Sequence, residues 1–324
     1  GACGICGTDV HITDGEFPPT PYPIVPGHEF AGTVIATGPG VRDLREGQRV
    51  AVDPSLFCGS CRFCRVGRGN LCERWAAIGD TVDGAFAERV RVPVANAYPL
   101  PDQMPFWEAA LIEPLSCAVH GLDRLQARSG DTVLVYGAGT MGLLLAQLAR
   151  HGGAGLVAIC DVNRGRLERA REFGFSAVGT SLDEILAFAP GGFDRVIEAT
   201  GVTRVVESAF AAVGKGGTLL IFGVSPGGET ASLEPFRIYN QEISVIGSMA
   251  VLHSFGRALE LLRAGAIDAG RMVSHSFSLD EFPRALELVR RGGGLKVQVT
   301  PAGGEGKISG KREEQEVAVP AAGA

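Results

Sequence analysis

The sequence predicts an α/β protein in which a doubly wound parallel sheet is joined to a smaller, mostly antiparallel β-barrel. Three observations lead there. The apolar, β-branched run Thr132 to Tyr136 feeds glycines at 137, 139 and 142 and then the helical run Leu143 to Arg150, which makes a strand, a tight turn and a helix start. Strands and helices alternate from that point to Ser248, the order that right-handed crossovers between parallel strands require. From Phe30 to Val52 the pattern changes to short apolar and polar alternation around Gly38-Pro-Gly40 and Glu46-Gly47, as in a small antiparallel barrel.

Composition narrows the function. The chain has 324 residues, enough for about two domains, with 45% hydrophobic and 20% charged residues and a net charge of -6. Nothing in it points to nucleic acid: the arginines from Arg164 to Arg171 are interleaved with Glu168 and Glu172, as on a solvated helix face. Apolar runs such as Leu143 to Ala149 are too short to span a bilayer, and no N-terminal segment reads as a secretion signal. The eight cysteines fall largely into metal-ligand spacing, which predicts a cytoplasmic protein with thiolates on metal instead of disulfides.

In chain order, the sequence opens on Gly1-Ala-Cys-Gly-Ile-Cys6-Gly-Thr8-Asp9-Val-His11, with no strand expected ahead of these polar groups. Val25-Pro-Gly-His28-Glu29 follows as a turn ending in an imidazole and a carboxylate. Together Cys6 and His28 offer one soft thiolate and one nitrogen, a pair that suits zinc. Cys58, Cys61, Cys64 and Cys72 then form a C-x2-C-x2-C-x7-C array, which predicts a closed, structural zinc site holding a glycine-rich loop in shape. Gly84 to Val94 is expected as a further strand, followed by a crossing rich in proline. Next, Glu113 sits among Leu111, Ile112 and Leu115 in a helical pattern. A carboxylate there is costly to bury unpaired, so a cation beside it is expected and Glu113 is a candidate third ligand.

The glycine turn is the candidate dinucleotide site. Gly137 permits the turn, Gly139 lets backbone approach a pyrophosphate at the helix N-terminus, and Gly142 lets the helix pack on the strand. Asp161 ends the next strand at roughly the twenty-residue offset where a carboxylate meets the adenosine ribose, which favours NAD over NADP. Residues just past later strand ends, Thr200, Gly201, Gly223, Val224 and Ser248, are expected to line the same crevice. The helices Phe255 to Arg263 and Asp280 to Arg291 and the strand Leu295 to Val299 are assigned back to the first domain. Residues 301–324 read as a disordered tail. Cys3, Cys117 and Cys160 are expected as small buried residues, and His120, His151, His253 and His275 as structural or exposed.

Taken together, Gly4-Ile-Cys6-Gly-Thr8-Asp9, Gly27-His28-Glu29, the four-cysteine array, Glu113-Pro-Leu-Ser, Gly137-Ala-Gly139-Thr140-Met141-Gly142 and Glu198-Ala-Thr-Gly201 resemble the zinc-dependent medium-chain alcohol dehydrogenases, sorbitol and polyol branch. The resemblance covers roughly residues 1–300. It implies a GroES-like catalytic domain over 1–114 and 251–300, lacking the barrel's usual first strands, and a Rossmann NAD-binding domain over 115–250. It further implies two zinc ions per chain, with Cys6, His28 and Glu113 on the catalytic one and Glu29 as an alternate ligand. By the same resemblance Thr8 takes the substrate proton, His11 ends the proton relay, Asp9 orients the ligand histidine, and Asp161 with Arg166 grips the ribose. The implied reaction is hydride transfer between a polyol or secondary alcohol and NAD, in a homodimer or homotetramer. A threonine or amino-alcohol dehydrogenase is the alternative in the same class. A non-catalytic zinc- and NAD-binding relative is the alternative outside it, although such a protein does not need the proton relay that Thr8 and His11 imply.

Overall fold

Two six-stranded sheets organise the chain in this computed structural model, which describes residues 1–301 and 306. Apart from Pro301 and Gly306, the expected tail lies outside the described residues.

In the parallel sheet the spatial order is Ser244–Gly247, Val213–Ile221, Phe193–Glu198, Thr132–Tyr136, Leu156–Cys160 and Val178–Gly179. Thr132–Tyr136 pairs in parallel with Phe193–Glu198 on one side and Leu156–Cys160 on the other, so the strand order reverses beside the glycine turn. That reversal opens a crevice at the strand ends. Successive residues of the central strand face opposite ways: Val133 and Val135 enter one apolar core, Leu134 and Tyr136 the other. Burial on both faces explains why this strand reads as a continuous apolar run.

The other sheet runs Val273–Ser278, Lys296–Thr300, Ala2–Ile5, Glu29–Thr33, Arg49–Val52 and Ala97–Pro99. All its ladders are antiparallel except the first pair. Among the described residues no ladder joins its two edge strands.

Two expectations are corrected. The opening residues are themselves a strand: Ala2–Ile5 lies between Glu29–Thr33 and Lys296–Thr300 and bonds to both. Ala-Cys-Gly-Ile carries one β-branched residue, too weak a pattern to announce a strand whose stability comes from two neighbours. Residues 84–94, by contrast, form no strand. The amides of Gly84, Ala85 and Phe86 bond instead to the carbonyls of Val25, Gly27 and Pro26. Beyond them Ala85, Val90 and Val92 line a cavity of about 430 Å³ with Phe30, Val34 and Leu44. Alternating sequence does not make a strand without a ladder partner.

The helix Ile112–Leu125 runs through the expected division between residues 114 and 115. It touches Glu29–Thr33 of one sheet, Val213–Ile221 of the other, and the helix Thr140–His151 that follows the glycine turn. Its Gly121 is needed for that approach, because a Cβ there would come within 2.8 Å of the Phe222 ring. No helix among the described residues is long and apolar enough to cross a membrane.

Candidate metal centre and dinucleotide crevice

Cys6 follows the strand Ala2–Ile5 and caps the helix Gly7–Thr13, while His28 leads into the neighbouring strand that Glu29 opens, so sheet pairing sets the two side by side. Cys6, His28 and Glu29 each place one donor atom within 4.8 Å of the others. Asp9 accepts from the Cys6 amide at 2.8 Å through Oδ2, which fixes the helix start beside the thiol. The Thr8 hydroxyl lies 3.9 Å from the Cys6 sulfur. His11, on the same helix, is exposed and meets Glu16 at 3.0 Å.

His28 is buried with its Nδ1 3.0 Å from Oδ1 of Asp80 and 3.7 Å from Oδ1 of Asp9. None of the three atoms makes a well-aligned hydrogen bond, with one another or with the rest of the protein. Burial disfavours the imidazolium, but Asp80 and Asp9 outweigh it and push the His28 pKa well up. Burial likewise raises Asp9 to about 6, against the pull of His28.

Glu29 is paired from the other side. The Lys296 ammonium, 3% exposed, lies 2.7 and 2.6 Å from its two oxygens. Burial works against the Lys296 charge, and Glu29 with the nearby acids more than restores it. Glu113 stands beside the trio but outside it. It is 7% exposed, its Oε1 accepts from the Cys117 thiol at 3.4 Å, and burial drives its pKa to about 8 despite His28. A thiolate, an imidazole and two buried carboxylates are a donor set that suits zinc.

The second cluster is local. Cys58, Cys61, Cys64 and Cys72 all place their sulfurs within 4.8 Å of one another, with Cys58 to Cys64 and Cys61 to Cys72 each at 3.9 Å. A tetrahedron of Zn–S bonds of about 2.3 Å has edges of about 3.8 Å. Disulfides, at about 2 Å, do not fit. Amides of Ser60 and Cys61 point at the Cys58 sulfur, and those of Cys58 and Arg74 at Cys72. The Ser60 amide and hydroxyl, with Arg74, pull the Cys58 pKa down to about 5.

In the crevice, Gly137 has φ +102 and a Cβ on Gly142 would sit 1.7 Å from the Gly137 carbonyl oxygen, so the turn admits no side chain at either place. Gly139 faces open space and caps the helix Thr140–His151, whose first amides have no side-chain cap. Asp161 accepts from the amides of Ala138 and Asn163, both at 2.8 Å, with Arg166 Nη1 3.8 Å from its Oδ2. Buried Glu198 accepts from the amides of Thr200 and Gly201 at 2.7 and 3.1 Å. Gly223 packs against that turn, where a Cβ would lie 2.1 Å from the Gly201 nitrogen. Val224 is exposed, and the Ser248 hydroxyl is buried with no protein partner.

Residues 1–102 match the alcohol dehydrogenase GroES-like domain and residues 140–264 the zinc-binding dehydrogenase domain. The chain is 38% identical to D-arabinitol dehydrogenase 1 of Uromyces fabae over 92% of its own length and 88% of the relative's. It belongs to the zinc-binding alcohol dehydrogenases. This dehydrogenase is also 33% identical to an L-threonine 3-dehydrogenase of Anaeromyxobacter dehalogenans, over 90% of its length and 87% of the relative's. A structure of a Sinorhizobium meliloti zinc-binding dehydrogenase bound to NADP superposes with a TM-score of 0.89 at 40% identity, covering 93% of this chain and 90% of that one.

The dehydrogenase groups Cys6 and His28 with Glu29, the alternate ligand of the sequence reading, and leaves Glu113 outside that group. Asp9 is the nearer carboxylate to Cys6, while Asp80 is nearer to His28. Cys117 is not a bland core residue, since its thiol faces Glu113. Asp80 and Lys296 carry no spacing motif that marks them, and only the fold brings them to the site. His253 meets the Gly67 carbonyl at 3.2 Å, and the Asn70 amide meets the Met249 carbonyl at 3.2 Å, tying the cysteine lobe to the segment after Ser248.

Proposed function

We propose that this dehydrogenase transfers hydride between a polyol or secondary alcohol and NAD, at a zinc held by Cys6, His28 and a carboxylate of Glu29 or Glu113. A second zinc in the cysteine lobe is structural. The single observation that carries this reading is the trio of half-buried Cys6 with buried His28 and Glu29, whose donor atoms lie within 4.8 Å of one another, three protein donors as a catalytic zinc site uses.

A zinc ion there supplies a Lewis acid that eases loss of the substrate hydroxyl proton. Thr8, beside the Cys6 sulfur, accepts that proton, and His11, one turn further on and exposed, passes it to solvent. The turn at Gly137, Gly139, Thr140, Met141 and Gly142 receives the pyrophosphate, and Asp161 with Arg166 holds the ribose. Thr200, Gly223, Val224 and Ser248 line the nicotinamide end, where the unpartnered Ser248 hydroxyl is free to bind. NAD is favoured because Asp161 is 8% exposed and held by two amides, so it cannot swing away from a 2′-phosphate.

The arabinitol relative supports a polyol, and the threonine relative supports an amino alcohol as the second reading. All eight cysteines are free, which suits a reducing cytoplasm. A homodimer or homotetramer is supported by the edge strand Ser244–Gly247, whose outer side is unpaired among the described residues and whose Val245 is exposed.

The test is a panel of polyols, secondary alcohols and threonine, followed by NADH and NADPH absorbance on protein of known zinc content. Polyol turnover with NAD at least tenfold better than with NADP is the expected result. Preference for threonine, or for NADP, would refute the corresponding part.

A further inference from the structure

We infer that Asp80 is a positioning residue for the metal centre, holding the His28 imidazole so that Nε2 alone faces the ion. The inference rests on the zinc reading above.

The first support is the pair itself. Asp80 Oδ1 lies 3.0 Å from His28 Nδ1, nearer than the 3.7 Å of Asp9 Oδ1. Both side chains are nearly closed to water, at 8% and 12% exposure, so no solvent acceptor competes for the Nδ1 proton. Asp9 is already committed, with Oδ2 on the Cys6 amide and its carbonyl on the Thr13 hydroxyl. Asp80 Oδ1, like Asp9 Oδ1 and His28 Nδ1, makes no aligned hydrogen bond, so distance is what separates the two carboxylates: Asp80 is the nearer to the ring nitrogen. The two carboxylates therefore divide the work: Asp9 fixes the strand end that presents the thiolate, and Asp80 fixes the ring that presents the nitrogen. Proton on Nδ1 leaves the lone pair on Nε2, the arrangement a ligating imidazole requires.

The second support is the way the Asp80 loop is built. Its backbone is laid against the turn that carries His28, glycine to glycine. A Cβ on Gly79 would sit 2.4 Å from the Gly27 carbonyl and 2.8 Å from the His28 nitrogen. A Cβ on Gly84 would sit 2.4 Å from the Gly27 oxygen. Gly79 also has φ +90, a conformation other residues rarely adopt. The Thr20 hydroxyl then pins the Asp80 carbonyl at 2.8 Å, and the Ala77 amide bonds the Thr81 hydroxyl at 2.9 Å. Backbone this close on both sides of Asp80 leaves its side chain little choice but the imidazole.

The experiment uses the full chain as parent, Asp80→Asn and Asp80→Ala, each loaded with zinc and challenged with a chelator while metal per chain is counted over time. Expected is zinc release from one of two sites about ten- to a hundredfold faster in Asp80→Ala, with partial recovery in Asp80→Asn, whose amide oxygen still accepts from Nδ1. The second zinc, in the cysteine lobe, should leave at the parental rate and report that each variant is folded. Cobalt substitution gives a second readout: the visible spectrum of the released site should shift in Asp80→Ala and move back in Asp80→Asn. If the parent holds two zinc ions and both variants release them at parental rates with parental cobalt spectra, the inference fails and the zinc reading survives. If the parent holds metal in the lobe alone, both fail together.

Discussion

The two sulfur-bearing clusters of this molecule are opposites in construction. The lobe draws all four donors from residues 58–72, points backbone amides at their sulfurs, and stands partly open to solvent. The Cys6 cluster draws on residues 6, 28 and 29, with His28 and Glu29 buried and Cys6 half-buried, and is ringed by Asp9, Asp80, Glu113 and Lys296 from four other places in the chain. A closed set of thiolates needs only a short loop. A site that must keep a position for substrate needs a rigid fold to hold its ligands and to balance their charge.

The largest expected effect separates the two by substitution. Cys6→Ser should lower turnover by more than the about hundredfold that loss of a supporting partner costs, and drop zinc from two per chain to one with little change in melting. Cys61→Ser should also leave one zinc, but lower the melting temperature and reduce turnover far less. The distinction collapses if Cys61→Ser abolishes turnover without a melting shift.

Next comes the charge balance. Lys296→Met leaves the Glu29 carboxylate buried without its cation and should cost about 3–5 kcal/mol in denaturant unfolding. The double variant Lys296→Met with Glu29→Gln should recover most of that. A single-variant cost below about 1 kcal/mol would show that the pair does not matter to stability.

The smallest effect lies in the parallel sheet, where an exposed carboxylate is tuned chiefly by hydrogen bonds. Asp194 accepts from the Thr132 amide and hydroxyl, both at 2.8 Å, and the amide bond chiefly holds its pKa below the ordinary value. A depressed folded-state pKa gives stability that is present above the unfolded value, about 3.9, and lost as pH falls through the folded one. Asp194→Asn should therefore flatten the loss of stability below about pH 4, by half a kcal/mol or less given its exposure. Parallel pH profiles for parent and variant would remove the assignment.

The same contrast explains what could be read from the sequence. The four lobe cysteines and the glycine turn are local patterns, and their spacing alone brings the atoms together. Cys6 and His28 were legible as zinc-suited residue types, yet their meeting depends on the antiparallel pairing of Ala2–Ile5 with Glu29–Thr33. Asp80 and Lys296 were illegible, because one sits in an irregular turn and the other in an apolar strand more than 260 residues from Glu29. The misread strand at 84–94 fails for the converse reason: its alternation is present and its partner is not.

That strand pairing also fixes an order of events. Ala2–Ile5 needs Lys296–Thr300 along one side. During synthesis the lobe thiols emerge together and can take metal once residue 72 is out. The thiol at position 6 must wait until the ribosome has made residue 300 before its strand is held on both edges. On the proposed zinc reading, the structural ion can bind the newborn chain long before its reactive pocket exists.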